Sequence, residues 1–246
     1  MAIDRRRFLV GSALALASAK PVFAVDDWRR EAAVFVSACR RPDGDYAIVL
    51  VTSDGRIVRE IALSARGHDI AIHRASGRAV AFARRPGFFA VAFDLEGKRA
   101  PRLFAPEAGR HFFGHGAFSP DGRLLYTSEH DIETGAGLIG IYDAAGGFRR
   151  EGEFLSHGVG PHEAILLADG RTLAVANGGI ASDPASGREA IDLPAMEPSL
   201  AFIDAATGEL RAKHELSSDL KLLSIRHLAA GARGEVWFGC QWQGGL

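Results

Sequence analysis

Residues 115–129 read HGAFSPDGRLLYTSE: a histidine, a short apolar run, a glycine turn and a second apolar run. The same design returns as HDIAIHRASGRAVAFAR at 68–84, HEAILLADGRTLAVAN at 162–177 and HLAAGARGEVWFGC at 227–240. Self-similarity at a fixed period marks a repeat architecture, in which each unit buries its apolar face against the next. Successive histidines stand 47, 47 and 65 residues apart. The excess of the third interval falls in residues 178–198, GGIASDPASGREAIDLPAMEP, which lack strand periodicity and read as a long loop between the second and third strands of that repeat.

The apolar runs are short, rich in Val, Ile, Phe and Ala, and punctuated by turn residues, so each repeat reads as four antiparallel strands. The second repeat places them at 69–73, 78–84, 88–94 and 98–104, and the third at 115–119, 123–129, 137–143 and 147–155. Gly77, Gly122, Gly170 and Gly234 take the turn between strands one and two; Gly55, Gly97, Gly146 and Gly208 take the turn between three and four. Four-stranded units of this size stack radially, so the expected fold is an all-β propeller with strand one innermost. About four and a half blades are present. The first repeat begins at its second strand near Ala33 and the fifth ends after its second strand at Leu246, so the ring reads as truncated; a compact four-bladed ring is the alternative. Alternating strand direction puts the four repeated histidines, the long loop and the two-to-three loops on one face.

Residues 1–24 read as an export signal: Asp4-Arg5-Arg6-Arg7-Phe8-Leu9 is a twin-arginine pattern, an apolar stretch follows, and Val22-Phe23-Ala24 offers a small-residue cleavage site. The apolar stretch is shorter than the ~20 residues of a membrane span, which disfavours an anchor and leaves no span in the mature chain. Residues 25–246 then form the propeller domain, and the expected location is the periplasm. The formal net charge of −1 becomes about −4 without the signal, which leaves no basic footprint for nucleic acid. Cys39 and Cys240, each at a strand end in a different repeat, read as distant unpaired thiols. No G-x-S-x-G elbow, P-loop or C-x-x-C occurs.

The repeated histidines carry the strongest chemical signal. Imidazoles of His68, His115, His162 and His227 converging at a channel mouth would hold a transition metal such as iron or copper, with zinc also suited to the donor. His111 and His130, with Glu129, Asp131 and Glu163, stand close enough in sequence to add ligands or the acceptors behind them. The structural alternative is that each imidazole ties a loop to the neighbouring hairpin, a habit that Gly67-His68 and Gly114-His115 fit. Arg40, Arg41, Arg84 and Arg85 fall at two-to-three loops, where their forked donors would bind a carboxylate or phosphate if they are not simply solvated.

Four segments carry a resemblance: GRHFFGHGAFSPDGRLLYTSEHD (109–131), SHGVGPHEAILLADGRTLAVANGGI (156–180), MEPSLAFIDAATGEL (196–210) and LSIRHLA (223–229). They resemble the bacterial domain-of-unknown-function family 1513. The resemblance implies a seven-bladed, twin-arginine-exported propeller, often encoded near imelysin-like iron-uptake proteins, which would then be its periplasmic partners. A weaker similarity, in Pro161-His162, Ser119-Pro120-Asp121-Gly122, Leu125-Tyr126 and Asn177, is to lactonase-type propellers, and much of it is shared blade grammar. The leading expectation is a periplasmic binding or accessory protein in iron or other metal handling. The alternatives are a lactonase-like enzyme, with a channel histidine as general base and an arginine stabilising negative charge, and a protein-binding scaffold.

Overall fold

Second strands of the repeats are unbroken apolar runs, such as AVAFA at 79–83 and TLAVA at 172–176, and the structure buries both of these completely. Outer strands alternate instead: RREGEFL at 149–155 turns every second side chain outward. The computed structural model describes residues 35–182, 190–191 and 193–245. The expected signal at 1–24 and residues 183–189 of the long loop lie outside the described residues. Among the described residues no helix is long and apolar enough to cross a membrane.

The chain divides into two compact units, meeting at Ala105 and Pro106. The first holds a three-stranded antiparallel sheet of β1 (Phe35–Arg40), β2 (Tyr46–Val51) and β3 (Ile57–Leu63). It also holds a four-stranded sheet in the order β4 (Gly67–His73), β5 (Arg78–Ala83), β6 (Ala90–Asp94) and β7 (Arg102–Phe104). Ile48, Leu50 and Ile61 pack against Ala81, Phe89 and Val91 between the two sheets.

In the second unit β8 (Arg110–Phe118), β9 (Leu124–Asp131), β10 (Gly137–Asp143) and β11 (Arg149–Leu155) form one four-stranded sheet. The next joins β12 (Pro161–Leu166) and β13 (Thr172–Asn177) to two later strands, with a two-stranded ribbon, β14 (Ala181–Ser182) and β15 (Ala190–Ile191), emerging from the long loop. Those later strands are β16 (Ser199–Asp204) and β17 (Leu210–Glu215), and a final pair is β18 (Leu223–Ala230) with β19 (Val236–Trp242). Ile139 and Tyr126 pack against Leu173, Val175 and Ile203, and the Tyr126 hydroxyl donates to the Ala205 carbonyl at 3.0 Å, joining one sheet to the next. The first strands β8, β12 and β18 of the three sheets lie side by side.

The strand series, three then four, four, four and two, is the one expected from the repeats: the fold is all-β and of the propeller type. Two local readings are corrected. The long loop contains the β14–β15 ribbon, whose two-residue strands are too short to show a period. In the third repeat the positive-φ turn residues are Gly147, at φ +96°, and Phe148, at φ +62°, and not Gly146, which instead donates its N–H to the Asp143 carboxylate at 2.7 Å.

Candidate metal centre

The first strands carry a β-bulge at the histidine in β4, β8 and β12, and at Arg226, just before the histidine, in β18. The ladder slips between Gly67 and Ile70 in β4, Phe112 and Gly116 in β8, Pro161 and Glu163 in β12, and Ile225 and His227 in β18. A bulge leaves residues unpaired and re-aims their side chains. In the second unit the consequence is convergence. The rings of His115 and His162 have centroids 4.8 Å apart, those of His162 and His227 4.9 Å, and those of His115 and His227 5.4 Å.

Glu163, beside His162 on β12, reaches this triangle. Its Oε2 accepts the backbone N–H of Leu228 at 2.8 Å and lies 3.3 Å from His227 Nδ1. Its Oε1 lies 3.9 Å from His115 Nδ1. One ligand atom from each of His115, Glu163 and His227 falls within 4.8 Å of the others. Imidazole–metal bonds of about 2.0–2.1 Å put neighbouring tetrahedral donors about 3.4 Å apart, so small side-chain rotations close the set around one ion. His115 is buried, whereas the His227 side chain is 64% exposed, so the cluster opens to solvent on the β18 side.

Sequence reasoning gave Ser128 no role, and the structure gives it one. Its fully buried hydroxyl lies 3.2 Å from the carbonyl oxygen of His115 and 3.3 Å from that of His162, bridging the two strands that bear them. The available signal was a small hydroxyl near the end of an otherwise apolar second strand, where the fourth repeat has the equally buried Asn177.

Glu129, Asp131, His111 and His130 take other roles in the second unit. Glu129 is fully buried and spent on an internal network: it accepts Thr127 Oγ1 and the Tyr142 hydroxyl, each at 2.7 Å, and pairs with Arg150 at 2.8 Å. Burial pushes its carboxyl above the usual range, opposed mainly by Arg150. Asp131 caps its turn through the amides of Glu133 and Thr134 and pairs with Arg110, which grips Glu153 through two 2.9 Å bonds. His111 and His130 face each other across the β8–β9 ladder, with ring centroids 6.2 Å apart, and His111 Nδ1 lies 2.6 Å from the Phe112 carbonyl oxygen.

In the first unit, His68 Nδ1 stands 3.2 Å from Arg84 Nη1. Arg41 is committed to Glu60 at 2.6 Å, with Asp45 and Asp43 beside it, and Arg40 donates to the Gly44 carbonyl. Arg85 is half-buried. Cys39 and Cys240 are free thiols, as expected, and burial raises the Cys240 thiol.

A solved structure that shares the fold is Kuenenia stuttgartiensis hydrazine synthase, with a TM-score of 0.58 and 16% identity over 82% of this chain and 54% of that one. The chain thus spans about half the length of that neighbour, and at this identity the likeness speaks for the fold alone. No curated protein matches the chain. Residues 61–246, from β3 through the bulged histidine strands to the end of the sequence, match the family described as Protein of unknown function (DUF1513), and the chain belongs to that family.

Proposed function

We propose that this protein is a periplasmic β-propeller accessory protein that binds a transition-metal ion through His115, His162 and His227, with Glu163 at the edge of the site. The observation that carries this reading is the convergence of three imidazoles from three successive first strands, those of His115 and His162 re-aimed by a bulge. Imidazole suits zinc, copper and iron, and the nearby carboxylate favours a dication over a monovalent soft ion such as Cu(I). A handling role in iron or copper traffic follows from such a site together with export by the twin-arginine route; iron-uptake proteins of the periplasm are its proposed partners.

A ligand that binds only the folded state raises its thermal midpoint. Metal-depleted full-length protein should therefore melt at a higher temperature with equimolar Zn(II), Cu(II) or Fe(II), and a chelator should reverse the rise. A midpoint unmoved by all three ions would contradict the proposal.

A further inference from the structure

We infer that β19 is an interface for a second copy of this chain, its open edge pairing antiparallel with the same strand of the other copy about a two-fold axis at Gly239. The metal reading plays no part in this. β19 is the second strand of its repeat, and among the described residues it pairs with β18 alone. The equivalent strand β13 lies between β12 and β16 and is buried from end to end. β19 has the same apolar character, VWFGCQW, yet six of its seven residues are exposed, Trp237 at 69%.

An open edge is a template for another strand, and proteins blunt such edges with charge, proline, brevity or bulges. The outermost strands of the other sheets use these devices: β3 carries Arg59, β11 Arg149 and β17 Lys213, and β7 is three residues long. β19 uses none of them. No charged residue or proline occurs from Val236 to Leu246, and the bulge of this hairpin lies in β18, which leaves β19 regular. A strand without charge has nothing with which to repel its own copy.

The backbone sets the register. The Glu235 carbonyl accepts the Gly231 N–H at 2.7 Å and the Gln243 N–H donates to the Leu222 carbonyl at 2.9 Å, so the odd-numbered residues of β19 turn their backbone groups to β18. Those groups alternate sides along an antiparallel strand. Val236, Phe238, Cys240 and Trp242 therefore turn theirs to the open edge. Full overlap of two copies opposes Val236 to Trp242 and Phe238 to Cys240, so outward groups meet outward groups and Gly239 meets Gly239. The product is a four-stranded sheet, the size of the complete sheets elsewhere in the molecule. Trp237 of each copy then stands diagonally across from Gly239 of the other, where an added Cβ would meet nothing within 4 Å. Three aromatic rings per copy, each able to bury up to about 150–250 Å², bring the contact toward the ~1,000 Å² of a specific interface.

This register makes the test specific. Opposed residues of a non-hydrogen-bonded pair stand about 4.5 Å apart at Cα, within the span of a disulfide. With Cys39→Ser and Cys240→Ser as background, Gly239→Cys should give a disulfide-linked dimer when full-length protein is treated with diamide. Gln241→Cys, opposed to Trp237, should stay unlinked. In light scattering at micromolar concentration wild type should be a dimer, and Phe238→Lys, which puts charge on the edge, should be a monomer with the far-UV spectrum of wild type. A wild type that is monomeric or forms open-ended oligomers, or Gln241→Cys linking as readily as Gly239→Cys, would overturn the inference. If Phe238→Lys does not fold, the wild-type mass and the two cysteine variants still decide.

Discussion

The Ser128 hydroxyl reaches the carbonyl oxygen of His162 across 3.3 Å, from β9 of one sheet to β12 of the next. At 3.2 Å it also meets the carbonyl of His115 on its own sheet, so one small side chain sets the spacing of two histidine-bearing strands. Ser128→Ala removes the donor and leaves buried carbonyls poorly satisfied, which should cost about 1–3 kcal/mol. It should also weaken metal binding, because the ligand strands lose their tie. Ser224, equally buried, donates to the Gly178 carbonyl at 2.9 Å and touches no histidine backbone. Ser224→Ala should cost similar stability and leave metal affinity unchanged, as thermal melts and titrations on the two variants will show.

The Glu129 carboxylate lies over Gly140, where any Cβ would collide with it. Gly140→Ala should therefore destabilise by displacing the carboxylate from Arg150, Thr127 and Tyr142. Glu129→Ala strips the Thr127 and Tyr142 hydroxyls of their buried acceptor and leaves Arg150 with Glu153 at 2.8 Å, at a cost of about 1–3 kcal/mol in chemical denaturation. The pH dependence has a definite sign. Burial raises the folded-state carboxyl value above the ordinary 4.5, so the folded protein holds the proton more tightly than the unfolded chain does. The stability of wild type relative to Glu129→Gln should then grow as pH falls through that raised value, and level off below the ordinary one.

Asp204 behaves in the opposite way. Its bond from Arg211, and then the amides of Ala206 and Thr207, hold the carboxyl at about 2, below the ordinary 3.8. The stabilisation is complete above the ordinary value and disappears as pH falls through about 2. The melting advantage of wild type over Asp204→Asn should be constant near neutrality and vanish in strong acid.

The repeat was legible because its turn glycines and apolar runs recur, and strand positions such as 137–143 follow directly from them. The gathering of His115, His162 and His227 was legible for the same reason: equivalent positions in stacked units lie side by side. What the sequence hid was the register. Bulges have no sequence period, and a slip of one residue reverses which face a side chain takes. Nothing in HDI, HGA, HEA and HLA distinguishes the carboxylate that reaches a neighbouring strand from one that does not. Glu129 and Asp131 looked like ligands because they follow a second strand into its loop; charge pairing with Arg150 and Arg110, residues far along the chain, claimed them instead. The β14–β15 ribbon was invisible because two-residue strands carry no alternation.

The central claim is that the three imidazoles act together on one ion, and the most direct test is the metal content of His115→Ala, His162→Ala and His227→Ala beside wild type. After equilibrium dialysis against Zn(II), wild type should retain one equivalent per chain and each variant should lose it. Metal-free His227→Ala should melt at the same temperature as metal-free wild type, since its side chain is 64% exposed, while His115→Ala should lose stability as well. Variants that keep wild-type zinc content, or a wild type that retains none, would contradict the account.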